Sequence, residues 1–187
     1  MSQATTQAVK NPALAGMRDV GLVVSASLFV ALCAKVSLPL PFTPVPLTMS
    51  NFAVLLVGMM LGPRRGGAAL TLYLLEGASG LPVFAAGVGG VAQLFYPTGG
   101  YLFAYPLVAM IAGWLGARWR KFAGYIVAGV VAEIVLFAAG IAWLMLAWHA
   151  TPAQAAAFGV APFVFAEVIK IMLSAGIAGR WQRVRRA

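Results

Sequence analysis

Long apolar runs separated by short polar or basic turns set the pattern of this chain. Their lengths predict helices from about Val20 to Leu38, Met49 to Gly62, Gly67 to Glu76, Tyr101 to Leu115, Phe122 to Trp148 and Pro162 to Gly179. The stretch His149 to Ala161 reads as a short linker. Two other connections break the pattern. Ser37–Thr48 (SLPLPFTPVPLT) carries Pro39, Pro41, Pro44 and Pro46, which remove backbone donors and forbid helix. Gly77–Tyr101 (GASGLPVFAAGVGGVAQLFYPTGGY) is glycine-rich and uncharged, so it is not one regular helix. Yet Leu81, Val83, Phe84, Val88, Val91, Leu94, Phe95 and Tyr96 make it too apolar for an ordinary solvated loop.

Composition turns the predicted helices into membrane spans. Hydrophobic residues make up 62% of the chain and charged residues only 9%, against about 25% charged in soluble domains. The 187 residues amount to one domain, with room for roughly six spans of about 20 residues each. The expected fold class is therefore an all-α membrane protein of six transmembrane helices. A disordered cytoplasmic N-terminus, 1–16, precedes a single membrane domain, 17–187. The second and third spans are short for a hydrocarbon core of about 30 Å. The two irregular loops dipping inward would supply the missing length. Irregular backbone at that depth is tolerated only where protein buries it or where it lines a cavity. Gly77–Tyr101 thus reads as a binding loop folded onto the bundle, the plainer alternative being an apolar connector in the interface. In the first span, Ser27 and Ala31 are small residues four apart. That spacing permits close helix approach, within the bundle or from an outside partner.

The net charge is +9, and its placement points to topology rather than to nucleic acid. Lys10, Arg18, Arg64, Arg65, Arg118, Arg120, Lys121, Arg180, Arg183, Arg185 and Arg186 fall on one side of a six-span layout, eleven of the thirteen basic residues. The positive-inside rule puts that side, and both termini, in the cytoplasm. The irregular first and third loops then face outward.

Five ionisable residues remain in or beside the spans: Lys35, Glu76, Glu133, Glu167 and Lys170. Such groups are costly in lipid and mark functional sites. Glu167 and Lys170, three apart, share one helix face. They form either a self-satisfied ion pair or the polar floor of a small-molecule pocket under apolar loops. Glu76 is placed to cap loop backbone or to pair with Lys35. No phosphate-binding G-x-x-x-x-G-K-[ST] motif is present, so ATP hydrolysis by that route is excluded. One histidine and one cysteine offer no metal site, and no cofactor is expected. An intramembrane serine protease of rhomboid type is the competing enzyme reading. It would use Ser79 in Gly77–Gly80 (GASG) as nucleophile and His149 as base.

In order and spacing, Pro44–Thr48 (PVPLT), Leu61–Arg64 (LGPR), Gly80–Phe84 (GLPVF), Gly89-Gly90 and Pro97–Tyr101 (PTGGY) resemble the BioY family. So does the sixth-span Glu167-x-x-Lys170, and the resemblance covers about 18–180. It implies a biotin-binding subunit (S component) of an energy-coupling factor (ECF) transporter, not an enzyme. Such a subunit takes biotin at the outer face of the cytoplasmic membrane. It works with a transmembrane coupling subunit and a pair of ABC-type ATPases. The resemblance places partner docking on the small-residue face of Ser27 and Ala31. Biotin chemistry suits the residues. Glu167 can accept from ureido N–H groups and Lys170 can donate to the ureido carbonyl, unless Lys170 serves the carboxylate instead. Phe84, Phe95, Tyr96 or Tyr101 would cover the thioether ring. N–H groups near Gly89, Gly90 and Gly99, with Thr98 and Gln93, would form an anion nest for the valerate. Pro46 and Thr48 would close the site from the proline loop. A stand-alone facilitator, with the same pocket and no energising partner, is a further alternative.

Overall fold

The structure, a computed structural model, describes residues 12–184. Helix α1 (Pro12–Lys35) leads into a two-stranded antiparallel hairpin, β1 (Ser37–Leu38) and β2 (Leu47–Thr48). Then follow α2 (Ser50–Leu61), α3 (Pro63–Ala78), α4 (Gly99–Arg118), α5 (Phe122–Ala147), α6 (Pro152–Gly159) and α7 (Val164–Val184). The apolar runs thus become helices, with ends shifted by local chemistry. Part of the expected disordered N-terminus, from Pro12 on, is helical; residues 1–11 lie outside the described residues. The break expected between the second and third helices shrinks to Gly62. Its φ of 81° lets the chain reverse in one residue, and Pro63 opens α3 at the position where a missing N–H costs nothing. Arg64 and Arg65 therefore sit in the first turn of α3, with Arg65 paired to Asp19 of α1 at 2.6 Å.

Helix α2 is buried nearly all round, Ser50 and Asn51 included, and is the central helix. It packs on α1, α3, α4 and α7, while α5 closes the bundle against α4 and α7. Small residues set the tightest crossing: a Cβ added to Gly58 of α2 would lie 2.4 Å from the Ala109 carbonyl oxygen of α4. Around this core the outward faces are apolar, including Leu28, Leu32, Leu107, Trp114, Ile134, Leu146, Phe165 and Met172. A surface this apolar fits lipid, not water. Among the described residues, Leu14–Lys35, α4 and α5 are each long and apolar enough to cross a membrane. Helices α6 and α7, bent by 51° at their break, pass the same test as one broken span. Helix α2 is a shorter apolar helix of 12 residues.

Both irregular stretches lie over one end of the bundle. The proline stretch is gathered at its feet by the hairpin, which pairs Ser37 with Thr48 and Leu38 with Leu47. The glycine stretch folds through two 3-10 turns, Ala85–Gly87 and Val91–Phe95. It is pinned by four side-chain bonds, from α1, α3 and the C-terminal end of α5. Lys35 Nζ donates to Pro82 O at 2.5 Å, Tyr73 OH to Val83 O at 3.2 Å, Trp143 Nε1 to Tyr96 O at 3.0 Å and Trp148 Nε1 to Phe95 O at 3.3 Å. The suggested Lys35–Glu76 pair does not form. Glu76 instead accepts from Ser27 Oγ, across the α1–α3 contact.

The linker expected at 149–161 contains α6. Thr151 and Gln154 form a reciprocal capping box with Pro152 at the first helical position, which is why so short a segment is helical.

Candidate functional site

Beneath the two loops lies a cavity of about 360 Å³, within the range of about 300–1,000 Å³ usual for small-molecule sites. Its walls come from every quarter of the chain. The proline stretch gives Pro39, Thr43, Pro46 and Thr48; the glycine stretch gives Phe84, Val88, Gln93, Tyr96 and Thr98; α4 gives Tyr101, Leu102 and Tyr105. The polar end is built by Ser50 and Asn51 of α2, Glu133 of α5, and Glu167 and Lys170 of α7.

The apolar walls are held by clearances that only glycine leaves. Phe84 lies edge-on to Tyr73, with ring centroids 5.5 Å apart. Its ring fills the space over Gly77, where an added Cβ would come within 2.0 Å. Tyr101 lies likewise against Gly140, where a Cβ would meet its ring at 2.1 Å. Its hydroxyl donates to Gly159 O at 2.7 Å.

The polar end is one connected network. Lys170 Nζ meets Glu167 Oε1 at 2.6 Å, and both side chains are buried. Asn51 Nδ2 donates to Glu167 Oε2 at 2.6 Å and to both carboxylate oxygens of Glu133, at 2.9 and 2.8 Å. Glu167 lies in the first turn of α7, where the helix dipole favours a negative charge. A second chain of contacts runs from Thr48 Oγ1 to Ser50 Oγ at 2.6 Å and on to Tyr105 OH at 2.8 Å.

Of the residues expected at a site, the fold brings Pro46, Thr48, Phe84, Gln93, Thr98, Tyr101, Glu167 and Lys170 to this one cavity. Others are corrected. Phe95 turns outward, 63% exposed, and tilts against Trp143. Gly90 and Gly99 serve the loop's own folding, not an anion nest, and Gly89 packs tightly against the loop backbone without lining the cavity. The Gly90 N–H is taken by Gly77 O at 2.7 Å and the Gly99 N–H by Tyr96 O at 2.8 Å. A Cβ at Gly89 would strike Leu81 O at 2.2 Å. Ser27 and Ala31 face into the bundle, 0% and 6% exposed, so their small size serves packing within the chain instead of an outside partner. The small residues four apart that α1 does expose are Gly21 and Ser25. Ser79 Oγ donates to Glu76 O at 2.7 Å and not to His149.

Asn51, Ser50 and Tyr105 were not singled out from the sequence, and Glu133 had no partner there. A lone asparagine in an otherwise apolar span was the available signal.

A sequence profile of the BioY family matches residues 3–187. The chain belongs to the BioY family. It is 38% identical over 165 residues to "Biotin transporter BioY" of Thermotoga maritima, covering 87% of this chain and 96% of that protein. It is 37% identical over 166 residues to "Probable biotin transporter BioY" of Pyrococcus horikoshii, covering 88% and 96%. In fold it matches a crystal structure at 2.1 Å of the S-component for biotin from an ECF-type ABC transporter. That match has a TM-score of 0.80 at 22% identity, over 96% of this chain and 95% of the other. Membership in this family of transporter components displaces the protease reading of Ser79 and His149.

Proposed function

We propose that this BioY family member is the biotin-binding subunit of an uptake transporter and takes biotin in the cavity under its two loops. The observation that carries the reading is the buried Glu167–Lys170 pair at the polar end of an otherwise apolar cavity. A fused ureido–thioether ring needs that asymmetry: donors and acceptors at one end, apolar contact along the rest. Glu167 accepts from the ureido N–H side and Lys170 faces the carbonyl; Phe84, Tyr96 and Tyr101 cover the ring. With the Gly90 and Gly99 N–H groups engaged, Gln93 and Thr98 are the side-chain donors that line the cavity near the loops and meet the valerate.

The chain crosses the cytoplasmic membrane six times in this reading, with both termini inside and the two loops outside. Short α2 is sheltered by its neighbours, and Arg64, Arg65, Arg118, Arg120, Lys121 and the basic residues of the C-terminus gather on one side. Energy comes from other chains, a membrane coupling subunit and ABC-type ATPases, since this one carries no phosphate-binding loop. The exposed Gly21–Ser25 face of α1 offers close approach to such a coupling subunit.

Isothermal titration of biotin into detergent-solubilised protein tests the reading. Submicromolar binding is expected. Absence of binding by protein with intact helicity refutes it.

A further inference from the structure

A second cavity, of about 500 Å³, shares a wall with the first. The end of α1 and the hairpin after it give Val36, Leu38 and Leu47, and one face of α7 gives Ala166, Ile169 and Leu173. From Ala166 to Leu173 the groove follows α7 for about 10 Å. Val36, Leu38, Ile169 and Leu173 are exposed, and so are Phe165, Val168 and Met172 beside them on α7. The groove is therefore open and continuous with the lipid-facing surface of the bundle. Ser37, Thr48 and Lys170 line both cavities. The Thr48 hydroxyl and the Lys170 ammonium are already bonded, to Ser50 and Glu167, so neither needs a polar partner from the groove. Lys35 also lines it. That residue is exposed, and its ammonium spends one of three N–H donors on Pro82 O.

We infer that this groove holds one membrane phospholipid, an acyl chain laid along α7 and its phosphate held by Lys35. The inference rests on the membrane reading of the chain and stands apart from the biotin reading. Water gains nothing in such a slot, because Leu47, Ala166 and Ile169 offer it no partners. Left empty, the slot forfeits the dispersion contacts of its whole lining. An acyl chain restores them. It is clasped on two sides, by the hairpin and by α7, whereas ordinary surface lipid lies against a single helix face. The charge is complementary too. Lys35 ends the span Leu14–Lys35, at the level where a lipid phosphate lies, and keeps two N–H donors for it.

Native mass spectrometry of the full chain in mild detergent, delipidated and then reloaded with phosphatidylglycerol, counts the bound lipid. Folded wild-type protein is expected to retain one phosphatidylglycerol. It should hold the diacylglycerol of the same chains, which lacks the phosphate, at least about 10-fold more weakly. Ile169→Trp combined with Leu173→Trp fills the groove from two exposed positions and should weaken retention of phosphatidylglycerol by at least about 10-fold. Phe165→Trp, on α7 but outside the groove, should retain it as wild type does. Should the double variant lose its helicity, Leu173→Trp alone gives the same readout. Folded wild-type protein that retains no lipid overturns the inference, and so does equal retention by the groove-filling variant. An equal loss in Phe165→Trp would make the lipid part of the general shell and overturn it as well. Equal affinity for the diacylglycerol would overturn the phosphate contact at Lys35 and with it the phospholipid assignment.

Discussion

Removing the ammonium of Lys170 separates what the buried pair does for the fold from what it does for a ligand. In Lys170→Ala, Glu167 keeps only the Asn51 amide as a donor. Breaking one side of a buried pair costs about 3–5 kcal/mol, and a charge-assisted bond to ligand about 1.5–3 kcal/mol more. The single variant should therefore unfold well below wild type and bind biotin at least about 10-fold more weakly. Replacing both partners with neutral groups of similar shape, Glu167→Gln with Lys170→Met, removes the stranded charge and should return most of the stability. It does not return the ligand contacts. Thermal unfolding followed by the five tryptophans, beside titration of biotin, reads the two quantities separately. A double variant as stable as wild type that binds biotin with unchanged affinity would refute the reasoning, because the pair would then be structural only.

Other outcomes follow from the same geometry. Gly77→Ala forces the Phe84 ring off its seat; a loss of about 1–3 kcal/mol in stability is expected, with weaker biotin binding, and neutrality in both would remove Phe84 from the wall. Tyr101→Phe deletes the bond to the Gly159 carbonyl and should cost about 1 kcal/mol with little change in cavity shape, measured by thermal midpoint. Ser27→Leu should destabilise the isolated chain by crowding the α1–α3 contact. Gly21→Leu should instead leave the isolated chain stable and weaken co-purification with a coupling subunit; the reverse pattern would return docking to the Ser27 face. Cells holding this chain with no coupling ATPase should show no concentrative biotin uptake, and accumulation there would favour the stand-alone facilitator.

Much of the architecture was legible because membrane spans advertise themselves as apolar runs, and Glu167 and Lys170 stood out as charges within one. Helix periodicity alone placed them on a shared face. The Asn51 contacts were not legible in that way. Its partners lie 82 and 116 residues away, on helices that no spacing rule brings together. The glycines of the third loop misled in an instructive manner. Their number suggested free N–H groups for an anion, but the loop spends Gly90 and Gly99 on its own turns and leaves Gly77 bare to seat an aromatic ring. Composition shows that a loop is permissive; it does not show which atoms remain unspent. The small residues of α1 repeat the lesson, since spacing identified a close-approach face without saying towards which side it turned. Helix α6 was present in the sequence as Thr151-Pro152 with Gln154 three residues after the cap, a signal hidden by the brevity of the segment.

Helix α6 also ties the site to its surroundings. Its last two carbonyls, which a helix end leaves without internal partners, are taken by side chains of the cavity wall. Thr43 donates to Phe158 O at 2.7 Å and Tyr101 to Gly159 O at 2.7 Å. One side chain comes from the proline loop and the other from the head of α4, so a single peptide plane's length of α6 is the knot between them. Any guest that shifts Thr43 or Tyr101 must drag this knot or untie it. Because α6 runs on into α7 at the 51° bend, the same two bonds fasten the proline loop and the head of α4 to the segment that leads into the Glu167–Lys170 helix.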